Sequence, residues 1–158
     1  MRLYLMRHGP AASSHPHGDA ARPLTSDGAD LVRRLAQGLP HLAPRPTLLL
    51  TSNFTRARET GALVGDALGL APEIATMIHP NSGISDLELL WDLYGRPDTW
   101  MVVGHQPALG ELVRLLTYAH VAVRPGTVAA IEAPAVRLKT GTLLGLYDPH
   151  LLAALASA

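Results

Sequence analysis

The sequence predicts an α/β fold with a largely parallel central sheet, and three observations carry that prediction. Short apolar runs alternate with segments of helical periodicity along most of the chain, the pattern of strand–helix–strand units. Hydrophobic residues make up 47% of the sequence and aromatics only 4%, so the core is aliphatic, built on Leu, Val and Ala. The length of 158 residues suits one domain, expected over residues 1–158, with enough surface to bury for a stable core without staples.

The elements follow in order. Leu3 to Met6 is a short apolar run ending at Arg7-His8-Gly9, read as a buried strand and a sharp loop. Residues Pro10 to Pro23 are rich in Ala, Ser, His, Pro and Gly and read as a loop. Thr25 to Leu39 has Leu31, Leu35 and Leu39 at helical spacing, Thr25 or Ser26 as cap and Pro40 as its end. Thr47 to Thr51 is a second apolar run, and Thr55 to Leu68 a second helix with Gly69 as its C-cap. A short strand is expected over Glu73 to Ile78, then loop chemistry at His79 to Gly83. Ser85 to Tyr94 reads as a helix with Leu87, Leu90, Trp91 and Tyr94 on one face, a stripe that belongs to the core. Thr99 to Val103 is a strand and Ala108 to Thr117 the following helix. Val128 to Ile131 and Val136 to Tyr147 read as closing strands, before a short terminal helix.

Composition excludes several function classes. Thirteen basic residues balance thirteen acidic ones, so no global field draws the protein to nucleic acid or to an anionic membrane. Without cysteine there is no disulfide and no thiolate chemistry. The apolar stretch at the N-terminus is broken by Arg7, too soon for a signal-peptide core. No segment approaches the roughly 20 apolar residues of a membrane span. The expectation is a cytoplasmic protein.

The chemistry gathers where the strands end, because sites in such sheets form at the C-terminal edge. The first strand ends in Arg7-His8, the second in Ser52 with Arg56 four residues on, and that of Thr99 to Val103 in Gly104-His105. Two Arg and two His at one edge make a local anion site on a chain of zero net charge. Arg matches the spread charge of a phosphoryl group with a planar fork of donors. Neutral imidazole is a nucleophile that can leave again, and a second His can donate to an oxygen as charge develops. Gly9 lets the backbone approach the anion, and the helix after Gln106 would add its positive end. With positive charge supplied by these side chains, the chemistry needs no metal.

At these residues the chain resembles the histidine phosphatase superfamily. The resembling segments are Arg7-His8-Gly9, Ser52 to Thr60, and Val103-Gly104-His105-Gln106-Pro107. They stand in the family's order, each after an expected strand. The length, the segment Arg22-Pro23-Leu24-Thr25 and the lack of a large insertion look most like the small SixA-type phosphohistidine phosphatases. The resemblance implies a phosphoglycerate mutase-like, three-layer α/β/α sandwich. It implies a phosphohistidine intermediate on His8, with Arg7, Arg56 and His105 holding the transferred group. By the same match Gly9 and Ser52 shape the pocket, Arg22 touches substrate or phosphate, and no cofactor or metal takes part. Family members commonly carry an acidic residue after the Arg-His-Gly triplet or a Glu after the third strand. Here Pro10 stands at the first place, and Ile78 to Gly83 offers no carboxylate. Asp19, His79 and Asp86 remain as proton donors.

The expected partner is a phosphorylated protein carrying phosphohistidine. The alternatives are a small phosphorylated metabolite, such as a sugar phosphate or nucleotide intermediate, and a noncatalytic phosphate-binding module. A phosphomutase would need a lid over the pocket for which no segment is long enough. His15, His17, His41, His120 and His150 read as solvated or structural; a metal site from His15 and His17 is the minor alternative, against which no carboxylate or Cys stands at metal-ligand spacing. The bland role for Arg56 is a surface pair with Glu59.

Overall fold

The structure is a computed structural model that describes residues 1–157. Eleven regular elements follow one another among the described residues: β1 Arg2–Arg7, α1 Ser26–Ala36, β2 Leu48–Thr51, α2 Thr55–Leu68, β3 Glu73–Ile74, α3 Ile84–Leu93, β4 Thr99–Gly104, α4 Ala108–Thr117, β5 Val128–Glu132, β6 Thr142–Tyr147 and α5 Pro149–Leu155. Single 3₁₀ turns form at Asp19–Ala21 and Leu39–His41.

The six strands form one sheet in the order β3-β2-β4-β1-β5-β6. Pairing is parallel from β3 through β1, and β5 runs antiparallel to both β1 and β6. The sheet is thus largely parallel, as expected.

The strands' period of two sorts the core into two halves. Leu3, Leu5, Leu50, Trp100 and Val102 face α3 and α4, in a cluster with Leu87, Leu90, Leu109 and Leu112. Tyr4, Met6, Leu49, Met101 and Val103 face the other way, against Val32 and Leu35 of α1, Val64 of α2 and Leu152 of α5. Helices therefore cover both faces, which makes the three layers of an α/β/α sandwich. Burial of a Leu or Val side chain contributes about 1.5–3 kcal/mol, so these two clusters are the main source of stability.

Three elements differ from the sequence expectation. The first helix ends at Ala36, not Leu39, because Gly38 lies against the backbone of α5, where any Cβ would collide with Leu152 O. Its N-cap is Thr25, whose Oγ1 accepts from Gly28 N at 2.9 Å. The strand expected over Glu73 to Ile78 stops at Ile74. Ala75 N still donates to Thr51 O, but Ile78 N turns back onto Ala75 O and drops Ile78 into the core. The run from Val136 to Tyr147 enters the sheet only at Thr142. Lys139 has φ 62°, and Thr140 Oγ1 donates to Arg137 O at 3.0 Å, which folds the start of the run into a turn. Val136 is fully buried there, so its apolarity reports a buried loop. Among the described residues no helix is long and apolar enough to cross a membrane.

Candidate active site

Register brings the site together. Arg7 on β1 is level with Gly104 on β4, and Thr51 on β2 is level with Val103. The residues one step beyond each strand, His8, His105 and Ser52, therefore leave the same edge of the sheet. His8 N donates to Gly104 O and Ser52 N to Val103 O, both at 3.1 Å, which holds the exits in place. The His8 and His105 rings lie 5.1 Å apart, centroid to centroid.

His8 is buried and its ring is fixed at both nitrogens. Nδ1 lies 2.7 Å from Gly9 O. A carbonyl only accepts, so Nδ1 carries the proton. Arg56 Nε donates to Nε2 at 3.1 Å, so Nε2 carries a lone pair. Burial pushes the His8 pKa down to about 4; the Gly9 bond opposes that shift, and Arg56, Arg7 and Arg22 each add a smaller downward push. The imidazole is therefore neutral at pH 7, with its free lone pair turned toward Arg56.

Arg56 comes from the first turn of α2 and is 3% exposed. Besides Nε, its Nη1 donates to Asp19 O at 2.7 Å and its Nη2 to Asp19 Oδ2 at 3.0 Å. Phe54 lies under the guanidinium at 5.0 Å and against the His105 ring at 4.7 Å, so one aromatic side chain packs against both groups, as a cation–π partner for Arg56. His105 Nε2 sits 2.8 Å from Ser52 Oγ, and Ser52 Oγ in turn accepts from Phe54 N at 3.3 Å. Burial, followed by His8 and Arg56, pushes the His105 pKa down to about 3, with Asp19 opposing.

Two buried nitrogens of the site are unpaired among the described residues: Arg7 Nε, a donor, and His105 Nδ1, a donor in the tautomer whose Nε2 accepts from Ser52 Oγ. Arg7 is held through Nη1 to Val123 O at 3.1 Å, and burial followed by Arg56 pushes its pKa below the usual guanidinium value. Unpaired buried donors cost free energy. An oxyanion is the ligand that would satisfy them and offset the crowding of Arg7, Arg22 and Arg56.

Gly9 closes the floor. Its N–H donates to Thr60 Oγ1 at 3.0 Å, and a Cβ on it would stand 2.5 Å from Val32 Cγ2. Close packing against α1, not backbone strain, requires glycine here. Arg22 does not reach the histidines. Its Nε and Nη2 grip Asp19 Oδ1, each at 2.7 Å, and its Nη1 donates to Ala12 O at 2.6 Å. The Arg56–Glu59 pair does not form, because Glu59 Oε2 accepts from Leu24 N at 2.7 Å and pins the preceding loop. Asp86 Oδ2 accepts from Gly83 N at 2.8 Å as the cap of α3. Asp86 and His79 line a cavity of about 10 Å³ that also touches His105. The start of α4 is closed to anions, since Ala108 N donates to Pro80 O and Gly110 N to Gln106 Oε1. Sequence reasoning did not single out Phe54 or Thr60. Thr60 is readable in retrospect from its i+4 spacing to Arg56, whose carbonyl it bonds at 2.7 Å, whereas nothing local marks Phe54.

Comparison with known proteins places the chain in a family. Residues 3–79 match the family model described as histidine phosphatase superfamily (branch 1). An uncharacterized protein of Picosynechococcus sp. is 31% identical over 150 residues, covering 90% of this chain and 91% of that one. This chain belongs to the histidine phosphatase superfamily, and it is a phosphatase. Within the superfamily its likeness is to the SixA type. Phosphohistidine phosphatase SixA of Escherichia coli is 34% identical over 119 residues, 72% of each chain. A solved structure of the protein histidine phosphatase SixA complexed with tungstate superposes with a TM-score of 0.84 at 26% identity, over 96% of this chain and 99% of that one. The six-stranded sheet and its helices share that phosphoglycerate mutase-like fold.

Proposed function

We propose that the chain is a cytoplasmic, single-domain phosphohistidine protein phosphatase that works through a covalent phosphoryl group on His8, without a metal ion. The observation that carries this is the fixed, neutral His8 ring: Nδ1 donates to Gly9 O and Nε2 presents a lone pair beside the Arg56 fork.

His8 Nε2 attacks phosphorus, and the bond from phosphorus to the substrate's nitrogen breaks as the new N–P bond forms. Arg7, Arg56 and His105 donate to the phosphoryl oxygens and stabilise the charge that develops on them. Ser52 holds His105, Gly9 holds the His8 ring through its carbonyl while packing against α1 rather than opening the backbone to the anion, and Arg22 acts on the site through Asp19. A phosphorylated imidazole leaves readily once its ring is protonated, so the first step asks little of a general acid. That fits Pro10 standing where family members commonly have an acidic side chain. The likeness to proteins described as phosphohistidine phosphatases supports the same substrate class.

The test is hydrolysis, in chelator, of an aryl phosphate and of a phosphohistidine protein, by wild type and by His8→Ala. The expected result is turnover by wild type on both, a higher rate on phosphohistidine, and loss on the order of 10⁴-fold or more in His8→Ala. Strong inhibition by chelator would overturn the metal-free mechanism. A higher rate on sugar phosphates would move the substrate class to small metabolites. Phosphate binding without turnover of any substrate would make the chain a binding module.

A further inference from the structure

We infer that Asp19 is the general base of the second half-reaction, taking the proton from the water that hydrolyses phospho-His8. The inference rests on the covalent mechanism proposed above and assigns a proton carrier that the sequence lacks at position 10.

The geometry gives each carboxylate oxygen a separate task. Oδ1 is anchored by Nε and Nη2 of Arg22, at 2.7 Å each. Oδ2 accepts from Arg56 Nη2 at 3.0 Å, while Nε of the same guanidinium faces His8 Nε2 at 3.1 Å. Nε–H and one Nη2–H of an Arg point along one edge of its fork. The nucleophile candidate and the Asp19 oxygen are therefore bonded to two nitrogens of one guanidinium, and a phosphoryl group on His8 would compete for the donor that Oδ2 now uses. Oδ1 stays on Arg22, so the carboxylate remains in place while Oδ2 is released beside the phosphoryl group.

That exchange also tunes the base. Burial alone would raise the Asp19 pKa, but its bonds to Arg56 and Arg22 outweigh burial and hold it below the usual value. Losing the Arg56 bond and gaining an anionic neighbour both favour proton uptake, so basicity rises only once the phosphoenzyme exists. The other acidic groups nearby are committed elsewhere: Glu59 to Leu24 N and Asp86 to Gly83 N. The Asp19 side chain is 58% exposed, with a route for the proton to bulk water, whereas His105 is 1% exposed.

The step balances. A water oxygen bonds to phosphorus as the Nε2–P bond breaks. The water proton goes to Asp19 Oδ2, and His8 departs as the neutral imidazole with Nδ1–H still on Gly9 O.

The experiment uses an activated aryl phosphate, whose leaving group needs no acid, with rapid quench in base and intact mass measurement of the enzyme. Wild type, Asp19→Asn, Asp19→Glu and the double variant carrying His8→Ala are compared. The expected result for Asp19→Asn is a burst of one phenolate per enzyme, accumulation of singly phosphorylated protein, and hydrolysis of that species slowed on the order of 10²–10⁴-fold. Asp19→Glu should hydrolyse it faster than Asp19→Asn. A turnover rate for Asp19→Asn within twofold of wild type, without accumulation, overturns the assignment and leaves the His8 mechanism standing. Slow turnover with no burst places the defect in the first step and also overturns it. Label that persists when His8 is absent removes the covalent step on His8, and this assignment with it.

Discussion

Arg56 Nε donates to His8 Nε2 across 3.1 Å, so a permanently charged side chain and an unprotonated ring nitrogen share one hydrogen bond. A protonated His8 has no lone pair for that bond and would face the guanidinium as a like charge. This relationship holds at neutral pH and is vulnerable in acid.

The activity should therefore keep its acid limb far below ordinary histidine. Protonation of His8 in the free enzyme removes the proposed nucleophile near pH 4. After correction for ionisation of the substrate, kcat/KM should be flat from about pH 6 to 8 and fall toward pH 4. A limb near pH 6.5 would show that burial does not hold His8 neutral.

Stability should follow the same groups. His8 and His105 titrate near 4 and 3 in the folded state and near about 6.5 in the unfolded chain. Between those values the unfolded chain binds more protons, so stability is complete above about pH 6.5 and is lost as pH falls from there toward 4. The loss should be on the order of a few kcal/mol, read as a falling urea midpoint. Saturating inorganic phosphate should protect against it, because the bound anion favours the protonated rings. A midpoint unchanged between pH 7 and 5 would contradict the prediction.

Arg56→Lys tests the planar fork. A lysine keeps the charge but cannot serve His8 and a phosphoryl oxygen along one edge. The expected fall in kcat/KM is on the order of 10²–10³-fold, with the fold retained by circular dichroism. A change below about threefold would mean that charge alone suffices.

Ser52→Ala frees His105 Nε2 from its 2.8 Å partner. The expected effect is a loss of roughly 10–10²-fold, in kcat more than in KM, with about 1 kcal/mol of stability lost. Restoration by Ser52→Thr, and not by Ser52→Val, would separate the hydrogen bond from simple packing.

Gly9→Ala places a methyl 2.5 Å from Val32 Cγ2. Overpacking of this kind costs about 1–3 kcal/mol and would push His8 off its ring position. Adding Val32→Ala should recover part of both stability and activity, a coupling a double-mutant cycle measures. Additive losses would argue that Gly9 matters for another reason.

By itself the sequence determined the fold class and the element order, because apolar runs and helical periodicity are local signals. The helices Thr55–Leu68 and Ala108–Thr117 stand where periodicity and the Gly69 cap put them. It also marked the residues that gather at the sheet edge, because parallel topology sends strand ends to one side and the register of β1, β4 and β2 makes them level. What only the tertiary structure decided are relations between distant residues. The end of the first helix depends on α5 crossing at Gly38, and the late start of β6 on a turn around Lys139. The bond from Arg56 to His8, the contact of Phe54 with His105, and the bond from Arg56 to Asp19 likewise join partners far apart in the chain. Periodicity and composition describe what each residue prefers near its neighbours. Which donor meets which acceptor is set by packing in three dimensions, where the cost of an unpaired buried group selects the arrangement.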